Sequence, residues 1–481
     1  MPIACASTLA GAALLALTGA AVSGGESLKY DFDSVRAGLP LMLQTRPIAS
    51  AVAFGLFLVG FGIKMGMWPF GQFWLPDAHP AAPSPVSAML SGVMIKTGAY
   101  GLMRSFLWLP SPEMQGAFPM REWGGLVVAL GTVTLFTGTM QALRQEQSKR
   151  LLAFHSIGQI GYIMLGTGVC MVLLAQPVSG TKGLAAIGLV GALFHVLNHG
   201  LFKALLFLNA GSLLWATGTQ DLNRMGGLMR WMPVTAATAC IASFSIAGVP
   251  LFNGFASKWH LYVACVQGSS TVHYLAVCGL VAILTSALTL ASFMKFFGAS
   301  FLARTSEWAS SQVARRSRIE VGALMQAPQL FLAALCVLLG VWPALATGFL
   351  ATALATSQHG WGSELAGEFQ SASRVWWGMT LAAGSARFAP MGVALLLVGG
   401  ISVGAVLSRA GGAKRRQAEP WLCGYAQQSE HNRYRAHGYY GEIKRWFRWL
   451  GGGSGRIVSQ ERAAMHRHEQ RASLLGRQNG T

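Results

Sequence analysis

The stretch "LFHVLNHGLFKALLFLNAG", residues 193–211, places His195, His199 and Lys203 inside an otherwise apolar run. Spaced four residues apart, the three share one face of an α-helix over about 12 Å of its axis. Ionisable side chains within a bilayer-spanning helix are costly, about 2.5–3.5 kcal/mol for a lysine at its centre on insertion scales. Whether the surrounding chain belongs in a membrane decides how these three residues are read.

The 481 residues are 53% hydrophobic and only 11% charged, against roughly 25% charged in soluble domains. Apolar runs near the length a bilayer needs recur along the chain. Helices are expected over residues 3–22, 47–66, 83–104, 124–143, 150–176, 186–215, 231–267 (broken), 271–298, 325–348 and 390–408. The fold class expected is all-α: a polytopic integral membrane protein of about ten transmembrane helices, two of them discontinuous. The first run, "IACASTLAGAALLALTGAAVSGG", lacks a basic n-region, since the first Lys or Arg is Lys29. It reads as a membrane helix rather than a signal peptide. Residues 1–46 then form the first transmembrane helix and an outer loop, and 47–350 a core with both broken helices. Residues 351–408 form an outer loop and the last transmembrane helix, and 409–481 a basic tail.

The formal charge is +19. Its distribution points to a lipid membrane as partner and not to nucleic acid. The basic residues gather in "LRQEQSKR" (Arg144, Lys149, Arg150), in "RTSEWASSQVARRSR" (Arg304, Arg315, Arg316, Arg318) and in "SRAGGAKRRQ" at the start of the tail. By the positive-inside rule these segments are cytoplasmic. Alternating the helices back from the tail puts Arg144, Asn223, Arg315 and the N-terminus inside, with Gln176 and Gly360 outside. Arg104 and Arg121 fall outside, against the rule. The expected location is the cell inner (plasma) membrane, multi-pass, with the C-terminal tail cytoplasmic. In that tail "YYGEIKRWFRWL" alternates apolar and basic residues as an amphipathic, interface-lying helix does. The last residues, "RASLLGRQNGT", have the composition of a disordered end.

The seven cysteines, Cys5, Cys170, Cys240, Cys265, Cys278, Cys336 and Cys423, include no C-x-x-C pair. Iron–sulfur and zinc sites need clustered ligands, so these read as small buried hydrophobes. No dinucleotide or phosphate-loop fingerprint is present. No cofactor, no metal and no catalytic redox site is expected in this chain.

Two segments break the helical pattern. In "MGMWPFGQFWLPDAHPAAPSPVSAM" Pro69, Pro76, Pro80, Pro83 and Pro85 forbid a continuous helix. The segment stays apolar, so it is expected to pack against protein or dip into the membrane. In "IAGVPLFNGFASKW" Gly248, Pro250 and Gly254 interrupt a second helix, and Lys258 follows. The seventeen Asp and Glu all fall in expected loops or the tail, whereas Lys64, Lys96, Lys203, Lys258 and Lys295 lie in or against apolar helices. Lys295, near a helix end, is expected to snorkel to the surface, and Lys64 has the same option. Lys96 and Lys203 lie too far from an end to do so. Burial favours the neutral amine, so a lysine in such a site can exchange protons at working pH, as a histidine does unaided. Titratable groups one turn apart form a wire that water can bridge. A zinc pair suits the H-x-x-x-H spacing too, but no carboxylate or third ligand accompanies it. A satisfied structural histidine pair also remains open.

The stretches "GFGIKMGMWPFGQFWLPDAHPAAPSPVSAMLSGVMIKTGAYGLMR", "SKRLLAFHSIGQIGYIMLG", "FHVLNHGLFKALLFLNAGS" and "AGVPLFNGFASKWHLY" closely resemble the antiporter-like membrane subunits of complex I, of group 4 hydrogenases and of multi-subunit cation/proton antiporters. The resemblance covers roughly residues 3 to 350. Within that family, "HPAAPSPVSAMLSGVMIKT" and the tail "EPWLCGY" are most similar to the large membrane subunit (component B) of hydrogenase 4 and formate hydrogenlyase. The resemblance implies an antiporter-like fold and a proton path. In it Lys64 matches the pumping lysine of the first broken helix, Lys96 that of the next helix, and His195, His199 and Lys203 the central hydrophilic axis. Lys258 matches the terminal residue of the second broken helix. Lys149 matches a further family lysine, although by itself it reads as a solvated loop charge. His155, from the second motif, is a possible member that could instead cap a helix. A family Glu that pairs with the residue at Lys64 should lie on an earlier helix, before Met1. The resemblance therefore implies a chain truncated at its front, either a fragment or a degenerate homologue.

The function expected is a non-redox, proton-translocating subunit of a hydrogenase-4-like or complex-I-like oxidoreductase (NADH/quinone or formate hydrogenlyase type). Its partners would be other membrane subunits and a peripheral redox arm. The alternatives are a subunit of a sodium/proton antiporter or inorganic-carbon uptake complex, and a non-conducting membrane scaffold.

Overall fold

A computed structural model describes residues 2–22, 32–178, 180–302, 304–315, 319–357, 360–375, 378–382, 386–412 and 433–451. Cys423, Arg316, Arg318, the tail's opening basic run and its last residues lie outside the described residues. Helices dominate: α1 (Pro2–Val22), α2 (Phe32–Thr45), α3 (Pro47–Met65), α4 (Gly71–Ala81), α5 (Ser84–Met89), α6 (Ile95–Met103), α7 (Met120–Arg144), α8 (Ser148–Leu174) and α9 (Thr181–Thr217) come first. They are followed by α10 (Pro233–Ala247), α11 (Asn253–Gly268), α12 (Tyr274–Phe297), α13 (Glu307–Arg315), α14 (Ala323–Val341), α15 (Ala344–Ala355), α16 (Gly362–Ala372), α17 (Pro390–Ala410) and α18 (Gly441–Trp446). Among the described residues seven helices are long and apolar enough to cross a membrane, and shorter apolar helices cover Ile3–Ala16, Pro233–Ala247 and Ala344–Ala355. The apolar segments expected to span are helical, except that the one over 325–348 is interrupted at Trp342 and Pro343, where proline ends α14 and starts α15; the protein is a multi-pass helical membrane protein.

The differences from expectation have physical causes. α2, α13 and α16 are amphipathic rather than continuously apolar, so a search for spanning runs passes over them. Residues 374–388 form a small antiparallel sheet, β1 (Arg374–Val375), β2 (Met379–Leu381) and β3 (Ala386–Phe388), in order β1-β2-β3, within a segment expected as loop. The Pro-rich segment after α3 is not a loop: α4 runs through Pro76 and Pro80. Packing of α4 against α8 offsets the two lost N–H donors, and the indole of Trp74 donates to the orphan Ile63 carbonyl at the end of α3 (3.1 Å). Pro83 and Pro85 start α5, where proline's fixed φ suits a helix N-terminus. Several of the acids expected in loops or the tail lie in helices, among them Asp33 in α2, Glu307 in α13, Glu364 and Glu368 in α16, Glu122 in the first turn of α7, and Asp77 on the exposed side of α4, paired with Arg150 (2.6 Å). The expected interfacial helix of the tail is only the six residues of α18, continued by a 3-10 turn over Arg448–Leu450.

α8 is the spine, and every residue of its spanning window is buried. Small residues let its neighbours approach. A Cβ at Gly161 would lie 2.3 Å from the backbone nitrogen of Leu135 on α7, and one at Gly131 would lie 2.7 Å from that of Leu165.

The two breaks are built alike. α3 ends at Gly66 (φ 90°) and α10 at Gly248 (φ 79°), both left-handed C-caps that favour glycine. The next helix then begins against the one just ended: a Cβ at Gly71 would lie 2.1 Å from Gly66 O, and one at Gly254 would lie 1.8 Å from Ser245 O.

Loops gather at two ends. At one, Ser148 N donates to Gln220 O (2.9 Å), Leu222 N to Glu146 O (2.9 Å), and Trp308 Nε1, in the first turn of α13, to Thr217 O (2.8 Å). The tail docks at the same end. Gln141 Nε2 donates to Leu450 O (2.6 Å), Arg433 to the carbonyls of Met225 and Asn223, and His437 Nδ1 meets Glu146 Oε1 (2.8 Å). At the other end Trp108 Nε1 donates to Ser357 Oγ (2.7 Å) and Gln115 Nε2 to Leu174 O (2.9 Å). The structure thus groups Arg144, Asn223 and Arg315 on one side and Gln176 and Gly360 on the other, as the alternation of helices requires.

Two outcomes follow for stability. Gly254→Ala forces a methyl group into a backbone carbonyl, and overpacking of this kind costs about 1–3 kcal/mol. Thermal unfolding in detergent should show a midpoint several degrees below wild type; an unchanged midpoint would contradict the packing at the second break. At the tail, burial alone would raise the Glu146 carboxyl, but hydrogen bonds from His437 and Asn223 and the Lys444 charge outweigh it and hold the group below its ordinary range. A depressed carboxylate stabilises docking above its unfolded value of about 4.3 and loses that contribution as pH falls through the folded value. Limited proteolysis of residues 433–451 should therefore be slow at neutral pH and accelerate below about pH 4. Glu146→Gln should accelerate it several-fold at pH 7; equal rates in mutant and wild type would contradict this docking.

Candidate functional site: a buried basic row

The centre of the molecule holds a row of buried polar side chains carried mainly by α8 and α9, with contributions from α6, α11 and α12. Each ammonium rests on backbone carbonyls. Lys258, on α11, donates to Ile246 O (2.9 Å) and Ala247 O (3.4 Å), at the carboxyl end of α10, and to Ser286 Oγ (2.9 Å). The break leaves those carbonyls without intrahelical partners, and the end of a helix dipole favours a cation. At the other end of α10 Glu320 accepts from Val234 N (3.0 Å) and Thr235 Oγ1 (2.7 Å), so this half-helix carries an anion at its start and a cation at its end.

Lys203 donates to Leu152 O on α8 (2.5 Å) and lies 5.9 Å from the Phe207 ring centroid. Lys96 donates to Ser91 O. That carbonyl belongs to a π turn, Leu90–Met94, set between α5 and α6, a helix irregularity frequent at functional sites. Lys149 is 1% exposed and donates to Ala82 O at the end of α4 (2.9 Å). It is therefore a buried helix cap and not a solvated loop charge. Lys295 does not snorkel: it is 0% exposed and donates to Leu143 O and Gln145 O, both 2.6 Å, at the end of α7. Its helix is too tightly packed on α7 at that point for the ammonium to reach water. Lys64 is half-buried in the last turn of α3. A Cβ at Gly98 would lie 2.7 Å from Met65 N, so α6 crosses α3 within a turn of both Lys64 and Lys96.

The histidines join these lysines. His195 Nδ1 meets Ser257 Oγ (2.9 Å), beside Lys258, and its Nε2 meets Gln159 Oε1 (3.1 Å) on α8. The His195 and His199 rings are 6.2 Å apart and nearly parallel, at 23°. Both nitrogens of His199 are buried without a protein partner among the described residues, a state that ordered water satisfies. His155 Nε2 meets Ser292 Oγ (2.8 Å) on α12, which makes it a buried bridge and not a helix cap. Ser156, next to it, meets Ser91 Oγ (2.8 Å). Asn198 Nδ2 donates to Asn253 O (2.7 Å) and pins the second break to α9.

The row thus gathers Lys96, His155, His195, His199, Lys203 and Lys258, with Lys64 and Lys149 at its flanks. Pro69 precedes α4, and Pro76 lies inside it. Gly248, Pro250 and Gly254 shape the second break. Several members went unread in the sequence. Gln159 stands out as an amide in an apolar span. His79, in "LPDAHPA", is fully buried and stacked on Phe207 at 4.4 Å. Tyr162 gives no such signal, because tyrosine is ordinary in a membrane helix. Its ring centroid lies 4.7 Å from Lys258 Nζ, and its hydroxyl meets Ser286 Oγ (3.0 Å). No group of three or more His, Cys, Asp and Glu able to hold a metal occurs among the described residues.

The family model described as "NADH:quinone oxidoreductase/Mrp antiporter, TM" matches residues 7–285. Hydrogenase-4 component B of Escherichia coli (strain K12) is 38% identical over 325 residues, which is 66% of this chain and 45% of that protein. Formate hydrogenlyase subunit 3 of the same strain is 36% identical, over 56% of this chain and 43% of that protein. The chain thus spans less than half the length of these curated relatives. Among solved structures, a chain of the membrane-bound sulfane sulfur reductase, an archaeal respiratory membrane complex, superposes with a TM-score of 0.72 at 26% identity, covering 98% of this chain and 72% of that one. With the family model matching more than half of its length, and with both broken helices and the basic row inside the matched residues, this chain belongs to the NADH:quinone oxidoreductase/Mrp antiporter transmembrane family.

Proposed function

We propose that this chain is the proton-translocating membrane subunit of an oxidoreductase complex of the hydrogenase-4 or complex-I type. The observation that carries the reading is the buried row from Lys96 to Lys258, which holds six titratable side chains and, among the described residues, no carboxylate. Burying each of these groups costs free energy that an apolar residue would not, and hydration of the unpartnered His199 ring completes a route for protons. Protons enter near Lys64 and Lys96, pass His195, His199 and Lys203, and leave by Lys258. His155 and Lys149 lie beside the route. The breaks supply polar backbone inside the membrane at both ends of the row.

The chain carries no redox cofactor in this reading. Other membrane subunits hold it in place, and a peripheral redox arm supplies the energy. Residues 47–350 form the translocating core, residues 1–46 and 351–408 flank it, and residues 409–481 form the tail. The complex sits in the cell inner membrane. The end carrying Arg144, Arg224 and the docked tail faces the cytoplasm, as the excess of basic residues there supports.

A second reading, a subunit of a cation/proton antiporter, is favoured by the Mrp antiporters within the same family. Sodium dependence of transport distinguishes it. In proteoliposomes holding the purified complex, Lys258→Ala and Lys203→Ala should each lower proton transport by about two orders of magnitude, the usual effect of removing a proton-transfer group, with the complex assembled as in wild type. Undiminished transport in both would overturn the assigned roles. Absence of transport in the wild-type complex would leave a membrane scaffold.

A further inference from the structure

Lys295 and His155 are buried titratable groups that the route above does not use, and they lie on one line. His155 Nε2 meets Ser292 Oγ at 2.8 Å. Lys295 stands three residues beyond Ser292 on α12, on the same face, where side chains are neighbours. Its ammonium reaches Leu143 O and Gln145 O at the carboxyl end of α7. The residue after Gln145 is Glu146, whose side chain is 23% exposed and is held by Asn223 Nδ2 (2.9 Å), His437 Nδ1 (2.8 Å) and Lys444 Nζ (3.5 Å). At the inner end of the line, Lys203 donates to Leu152 O, one turn of α8 from His155.

Capping of α7 accounts for the Lys295 ammonium. It does not account for the imidazole–hydroxyl pair one turn further in. Nor does it account for His155 Nδ1, Gln141 Oε1, Gln147 Oε1 and Ser148 Oγ, all buried without a protein partner among the described residues and, His155 apart, all at the α7–α8 turn. Buried polar atoms of this kind take ordered water.

We propose that His155, Ser292 and Lys295 form a branch that carries protons between the Lys203 region and the tail end, with the Glu146 carboxylate as its solvent-side partner. This rests on the proton-translocation reading. A proton received at His155 Nδ1 releases the Nε2 proton to Ser292 Oγ, and the hydroxyl proton moves on to the neutral Lys295 amine. The ammonium then yields a proton to water held against Glu146, which passes it to bulk solvent. Ser292, Lys295 and the water end as they began, and one proton has crossed; His155 is left as its Nδ1–H tautomer and a turn of the ring resets it for the next transfer. The docked tail, through His437 and Lys444, covers the mouth of the branch.

The test uses the whole complex in proteoliposomes, reading redox turnover, assembly and proton transport together. Ser292→Ala and Lys295→Arg should each lower proton transport at least about tenfold in fully assembled complex. Arginine preserves the cap on α7 but does not release its proton. Wild-type transport in either variant overturns the branch, because a purely structural Lys295 tolerates arginine. Lys258→Ala, measured alongside, separates the two readings. If it abolishes transport while Ser292→Ala does not, the branch fails and the main path stands. If Lys258→Ala, Lys203→Ala and both branch variants all transport normally, the proton-translocation reading fails with the branch.

Discussion

The interaction on which this structure depends is that of a lysine ammonium with backbone carbonyls at the end of a helix. The chain has seventeen Asp and Glu, and the hydrogen bonds of the buried lysines among the described residues go to carbonyls and a hydroxyl, not to carboxylates. Lys258 rests on the end of α10, Lys149 on the end of α4 and Lys295 on the end of α7. Lys96 rests on a π turn and Lys203 on the Leu152 carbonyl of α8. Helix ends inside a bilayer present carbonyls that nothing else satisfies. A cation and a broken helix therefore each relieve a cost that the other carries alone.

This pairing explains why breaks and lysines occur together. Gly66 and Gly248 end helices in the left-handed conformation, and Gly71 and Gly254 let the chain resume in contact with the helix just ended. The exposed carbonyls then fix an ammonium without cancelling its charge, as a carboxylate would. A cation held by dipoles keeps its proton available for exchange, whereas one locked in a buried ion pair is tied to its partner. The histidine pair lies between the lysines, which is why the proposed proton route runs through the whole row.

Much of this was legible in the sequence, for reasons specific to each residue. The spanning helices follow from apolar length, and the second break from the Gly248, Pro250 and Gly254 spacing. His195, His199 and Lys203 show by helical periodicity alone that they share a face. α4 was hidden because prolines argue against a helix locally, while packing against α8 decides the matter at long range. Lys295 was misread because nearness to a helix end suggests snorkelling, and Lys149 because it follows a polar loop and reads there as a solvated charge, yet neighbours in space bury both. Tyr162 and Ser286 were invisible: neither is unusual in an apolar helix, and only the fold brings both to Lys258.

The most direct test of the account is an electron cryo-microscopy map of the intact complex in lipid, at a resolution that shows ordered water. The account predicts Lys258 Nζ on the Ile246 and Ala247 carbonyls, Lys203 on Leu152, and water bonded to His199 in a chain joining the two. A dry row, with His199 packed against apolar side chains alone and the ammonium of Lys258 turned away from the end of α10, would contradict it.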